Sequence, residues 1–262
     1  MAFLTPDKVV TRQIGGRTLT VNQRIMPDSF RASKYVASYV KAGQPMKPCA
    51  PLHGDGQPQG ITVHNTEMIR PATGTDAAEQ YTRATYNGNM GGVIVHYYVW
   101  HSVIWQLLDD TERGWHATDG STRRLAKDGK SMIGGNLDTI AIEAIGPDDE
   151  TEATTAALCA WLCKEYGLLP EKDVYPHNYF YPAKACPAYI LPHLDAFLTR
   201  VKTMYLQPEP QPETELTEPD AWAADAWDWC KLRGYMDGTK PREAVTREML
   251  AVVLHRVETD MD

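Results

Sequence analysis

The chain has 262 residues, 43% hydrophobic, 23% charged and 9% aromatic, the composition of a soluble globular protein rather than a disordered, collagen-like or membrane one. Acidic residues outnumber basic ones by 34 to 26, a formal net charge of -8; a general nucleic-acid binder needs a basic face, so that class is disfavoured. No stretch reaches the roughly 18 apolar residues of a membrane helix, so no membrane partner is expected.

The N-terminal MAFLTPDKVV has neither a basic n-region nor an apolar h-region. It points to a protein made in the cytoplasm without a classical secretory signal. Residues 1–50 read as irregular, apart from a helix expected over RASKYVASYVKAG, 31–43. Four short, β-branched, apolar runs then read as strands: ITVH (61–64), VIVHYYVW (93–100), VIWQLL (103–108) and DTIAIEAI (138–145). His101 and Ser102 separate the second from the third, a spacing that suits a hairpin. Three segments read as helices. TDAAEQYTRATYN (75–87) opens on capping Thr75 and Asp76, and TEATTAALCAWLCKEYG (151–167) ends on a C-capping glycine. The third, PAYILPHLDAFLTRVKTMY (187–205), sets Leu191, Leu194, Phe197, Leu198 and Val201 on one face. Strands mixed with helices predict an α/β fold, a central mixed sheet flanked by helices. QPEPQPETELTEPD, residues 207–220, has nothing to bury and reads as a Pro/Glu-rich linker. The expected organisation is a main domain over 1–206, a linker over 207–219 and a small helical module over 220–262. Residues 207–262 hold 13 acidic and 6 basic residues, so the acidity belongs to the tail and says little about the main domain's substrate.

Five cysteines, at 49, 159, 163, 186 and 230, are odd in number and read as reduced thiols. Cys159 and Cys163, four apart on a helix, suit a core. Of the eight histidines, His53, His101, His193 and His255 read as surface or hydrogen-bonded core residues. His64 ends an apolar strand and is followed by Asn65 and Thr66, which places an imidazole at the sheet edge. His177 lies in a polar, aromatic loop nine residues before Cys186. Two imidazoles and a thiolate suit zinc, with a fourth position left for water; a core cysteine beside a loop histidine has the same spacing. Glu143, inside the apolar run TIAIEAIG, faces a desolvation cost that suits a general base, and equally suits an ion-paired or outward-facing glutamate. Lys184, two residues before Cys186, is either an oxyanion partner or an ordinary surface lysine.

Taken in order, ITVHNT, VHYYVW…IWQLLDD…GWHATDG, NLDTIAIEAIG and H…PAKACP resemble the zinc-dependent N-acetylmuramoyl-L-alanine amidases of phage endolysins and bacterial autolysins, over roughly residues 55–200. The resemblance implies zinc as cofactor, with His64, His177 and Cys186 as its ligands. It implies Glu143 as acid/base, Lys184 beside it, and His116 lining the same cleft. His96, Asn65 and Thr66 complete the residues expected to contact substrate, bacterial peptidoglycan. One departure is Val95, where other members carry a tyrosine before the histidine of this strand; Tyr97 and Tyr98 follow instead.

Beyond the linker, W…A…W…GYMDGT.P…VTREM…L.R resembles a single S-layer-homology repeat: a helix, a DGT turn and a second helix capped at Thr246. The resemblance implies binding to a secondary cell-wall polymer; the plainer alternative is a helical hairpin that makes a homodimer. The expected protein is an endolysin released to the wall through a holin or by lysis. A cytosolic muropeptide-recycling amidase, a non-catalytic peptidoglycan-recognition protein and a zinc peptidase of the stem peptide are its rivals.

Overall fold

The structure, a computed structural model, describes residues 3–30, 51–52, 56–66, 76–120, 122–208, 219–236 and 250–255. It divides into two compact units, Met1–Glu209 and Pro210–Asp262.

In the first unit, β1 (Lys8–Ile14) and β2 (Arg17–Gln23) precede β3 (Gly60–Thr66) and α1 (Ala77–Tyr86). Then come β4 (Tyr97–Trp100), β5 (Val103–Gln106), the short β6 (Arg124–Leu125) and β7 (Met132–Ile133), α2 (Gly135–Asp138) and β8 (Thr139–Ile145). The unit closes with α3 (Asp149–Glu165), α4 (Pro170–Asp173), β9 (Val174–Pro176), α5 (His177–Phe180) and α6 (Leu194–Leu206). Seven strands form one mixed sheet in the order β1-β2-β5-β4-β8-β3-β9, with β4, β8, β3 and β9 mutually parallel.

The expected α/β sheet with flanking helices is what the chain forms, with local corrections, two of them in its strands. The first lies in the segment read as irregular. β1 and β2 pair antiparallel in full register from Lys8↔Gln23 to Ile14↔Arg17. Gly15 and Gly16 between them have φ of 55° and 71°, the left-handed geometry that a two-residue hairpin turn demands. The helix expected over 31–43 lies outside the described residues. The second correction concerns VIVHYYVW, of which only Tyr97–Trp100 is strand. Ile94 forms an isolated antiparallel bridge with Trp115 outside the sheet, while His96 keeps backbone bonds to Ala141 and Leu107. The β4–β5 hairpin turns at His101 and Ser102 as expected, with His101 at φ 51°.

The helices start where their caps dictate. Asp76 accepts from Ala78 N at 2.8 Å to open α1, and Asp148 accepts from Thr151 N at 2.8 Å to open α3. Gly167, at φ 65°, follows the end of α3. The run from 187 is helical only from Leu194, after a 3-10 turn at Leu191–His193.

Strand alternation gives the sheet two faces. Ile61, Val63, Tyr97, Val99, Ile104, Ile140 and Ile142 face α3 and α6, where Leu158, Cys159, Leu162, Cys163, Phe197 and Val201 are buried. On the other face Tyr98, Trp105, Ala141 and Ile145 pack with Ala77 and Ala78 of α1. In the second unit, α7 (Ala224–Leu232) carries Trp227 half-buried and Trp229 exposed, with Trp222 exposed before it. Residues 250–255 are helical. The expected DGT turn and the Thr246 cap lie outside the described residues. Among the described residues no helix is long and apolar enough to cross a membrane.

Candidate active site

The site grows from the carboxyl ends of three adjacent parallel strands. In the β3–β8 register His64 lies opposite Glu143, and Tyr98 of β4 lies opposite Glu143 on its other side. Partners in a parallel ladder project to the same face, so the imidazole, the carboxylate and the phenol share one surface. His177 begins α5 directly after β9, the neighbour of β3 on the other flank. A backbone hydrogen bond from Asn178 N to Cys186 O, 2.8 Å, folds the 178–186 loop back so that the thiol returns to the histidines.

His64 Nδ1 lies 3.1 Å from His177 Nδ1 and 4.0 Å from Cys186 Sγ. One donor atom from each of the three residues fits within 4.8 Å of the others, and all three residues are buried. At tetrahedral angles, two nitrogens bound at about 2.0–2.1 Å and a sulfur at about 2.3 Å stand about 3.4 Å (N···N) and 3.6 Å (N···S) apart. The donor set and its spacing therefore fit a small divalent ion. Burial, then the neighbouring imidazoles and the Lys184 ammonium, hold His64 well below the usual histidine range. Burial and Lys184 bring His177 to about 4. Neutral imidazoles present the lone pair that a metal needs.

Glu143 is half-buried, and desolvation lifts its carboxyl to about 7 against the opposing influence of Thr66 and Lys184. Thr66 Oγ1 donates to Glu143 Oε1 at 2.6 Å. Lys184 is itself exposed at the rim. His116 joins the group from behind: its Nδ1 lies 2.9 Å from His64 Nε2, on the side of the ring away from the Nδ1 that faces His177 and Cys186.

Two residues expected at the cleft are committed elsewhere. His96 is fully buried; its Nε2 donates to Glu112 O at 2.8 Å and its Nδ1 accepts from Ala141 N at 3.0 Å. Both nitrogens serve the main chain, so His96 is a core residue. Asn65 is buried, with its carboxamide nitrogen bonded to the Ala144 and Gly146 carbonyls and its oxygen accepting from Tyr189 N. It clamps the ends of β3 and β8 to the segment after Cys186.

Other residues at the site escape sequence reasoning. Tyr97 points away, donating to Asp110 Oδ1 at 2.8 Å, whereas Tyr98 faces the site and bonds Thr85 Oγ1 at 2.8 Å. The Glu143 charge helps raise both Tyr98 and Tyr81, second to burial. Strand parity from Glu143 is the signal that picks Tyr98 over Tyr97. Thr118 reaches within 3.5 Å of His177 Nε2 and sits at φ 60°, a strained conformation for a β-branched residue. No sequence pattern announces it.

Residues 54–189 match the family model Amidase_2, described as N-acetylmuramoyl-L-alanine amidase. The chain is 30% identical over 155 residues to the N-acetylmuramoyl-L-alanine amidase CwlH of Bacillus subtilis (strain 168), covering 58% of this chain and 56% of that protein. It is 34% identical over 146 residues to the amidase XlyA of the same organism, covering 53% and 43%. The solved catalytic domain of XlyA superposes with a TM-score of 0.50 at 26% identity, over 69% of this chain and 98% of that domain. The chain spans about half the length of the curated relatives it matches.

Proposed function

Because the chain belongs to the N-acetylmuramoyl-L-alanine amidase family, we propose that it hydrolyses the amide bond between N-acetylmuramic acid and the L-alanine of the stem peptide in bacterial peptidoglycan. The observation that carries the proposal is the convergence of His64, His177 and Cys186 beside Glu143, at the carboxyl ends of β3, β8 and β9.

In this reading the His64 and His177 imidazoles and the Cys186 thiolate would hold a zinc ion, which would polarise the amide carbonyl and acidify a water. Glu143, raised toward neutrality, takes a proton from the attacking water and returns it to the amine of the departing L-alanine. Thr66 fixes that carboxylate through its 2.6 Å hydrogen bond. Lys184 places a positive charge at the rim, where it offsets charge developing on the carbonyl oxygen. Glu143 and Lys184 separate this reading from a non-catalytic recognition protein, which needs neither.

Mass spectrometry of digested walls tests the bond. The expected products are glycan free of peptide and peptides with a new L-alanine amino terminus. Cleavage inside the stem peptide makes the protein a peptidase, and intact walls alongside retained binding make it a recognition protein.

The second unit we assign to the wall or to self-association, on the strength of its exposed Trp222 and Trp229. Truncation after Leu206 should leave turnover of soluble muropeptide intact while slowing lysis of whole walls. Equal lysis by both forms, with the same sedimentation behaviour, removes that role.

A further inference from the structure

His64 carries two contacts that make opposite demands on its protons. Its Nδ1 faces His177 Nδ1 and Cys186 Sγ, while its Nε2 lies 2.9 Å from His116 Nδ1. One proton occupies a hydrogen bond between two neutral imidazoles, so either His64 or His116 donates. If His116 donates through Nδ1, neutral His64 carries its own proton on Nδ1, and that nitrogen is lost as a metal ligand. If His64 donates through Nε2, its Nδ1 is bare.

The other side of His64 chooses between the two. His177 Nδ1 and Cys186 Sγ both face its Nδ1, and a metal held among them needs that nitrogen bare. His64 then carries its proton on Nε2, and His116 Nδ1, 2.9 Å away, is the acceptor. Its seat is rigid. Asn136 Oδ1 accepts from both His116 N (2.7 Å) and Ala117 N (2.8 Å). Gly114 leaves room for the ring: a Cβ there would lie 2.8 Å from His116 Cδ2.

We infer that His116 is a positioning residue for the metal centre: it accepts the Nε2–H of His64 and so holds the His64 Nδ1 lone pair bare and aimed between His177 and Cys186. It acts through a ligand and touches neither substrate nor metal. A metal-ligating histidine more often gives its second N–H to a carboxylate or carbonyl. A neutral imidazole in that place fixes the tautomer without adding negative charge behind the ligand. The inference rests on the zinc reading above, and its test separates the two.

The full-length chain, stripped of metal, is titrated with zinc against a chromophoric chelator. Wild type should bind one zinc, and His116→Ala should bind it about 10–100-fold more weakly. His116→Gln, whose amide oxygen can accept the same hydrogen, should recover most of the loss. If wild type binds no zinc, the reading of the centre falls. If wild type binds and both variants match it, or both are equally weak, the positioning role is overturned while the centre stands. Nitrogen-15 chemical shifts of His64 in the metal-free wild type read the tautomer without any variant. Protonated Nε2 supports the inference, and protonated Nδ1 overturns it.

Discussion

Ile142 and Glu143 are chain neighbours in β8 that face opposite sides of the sheet, and the two sides are built from different chemistry. Toward α3 and α6, Ile61, Val63, Ile140 and Ile142 are essentially inaccessible and belong to one apolar cluster. On the other side the same two strands present Thr62, His64, Thr66 and Glu143, with Tyr98 alongside. The first face stabilises the fold by removing apolar surface from water. The second gives up part of that stabilisation to keep imidazoles neutral and a carboxylate near neutrality. Period-two alternation lets one strand do both, so damage to stability and damage to chemistry should separate by a single residue.

The largest expected effect lies on the site face. Glu143→Gln should lower turnover by about 10²–10⁴ while zinc content and melting temperature stay near wild type. Loss of zinc in that variant would make Glu143 a support of the metal centre instead. The companion change, Ile142→Ala, should cost about 2–5 kcal/mol in chemical denaturation yet leave zinc affinity and the turnover of the remaining folded protein unaltered. A stable but inactive Ile142→Ala would erase the division between the faces.

A finer probe is the polar intrusion on the apolar side. Asp110 accepts from Tyr97, Tyr166 and Gln106 at 2.8, 2.9 and 3.1 Å, and burial raises its carboxyl to about 6. Folding therefore favours its protonated form. That contribution is fully present below the unfolded pKa and is lost as pH rises through about 6. Asp110→Asn, which stays neutral, should gain about 1–3 kcal/mol relative to wild type between pH 4 and pH 8. A stability difference that stays flat over that range would show that Asp110 does not titrate there.

The smallest effect belongs to Thr66→Val. Its hydroxyl stabilises the ionised form of Glu143, so removing it raises that carboxyl further and depletes the base near neutral pH. The acid limb of the kcat/KM profile should move up by about one pH unit, with little change at high pH. An unmoved limb would reduce Thr66 to packing.

Much of this was legible in the residues, for identifiable reasons. β3 and β8 are continuous β-branched runs buried on both sides, so pattern and structure agree. The β1–β2 hairpin was equally visible in principle: VVTRQI and RTLTVNQ flank a Gly-Gly pair. Their alternation leaves only Ile14, Leu19 and Val21 fully buried, too thin an apolar signal to stand out. His64, His177 and Cys186 were legible as residue types, but only the β9–β3 adjacency and the folded 178–186 loop bring them together. His96 and His116 show where sequence reasoning stops. Both are buried imidazoles near the same strands; one spends its nitrogens on the main chain and the other reaches His64, 52 positions away. Nothing local distinguishes them.

The His64↔Glu143 pairing also governs how the chain can change length. Adding or deleting one residue inside β8 would put the strand out of phase, carrying Glu143 under α3 and setting an aliphatic residue beside His64. Length changes between Thr66 and Thr139 that leave both strands and the structure packed between them intact cost only the slow, logarithmic entropy of a longer closure. Drift in size among such proteins should therefore collect in the connections and stop at the ends of β3 and β8.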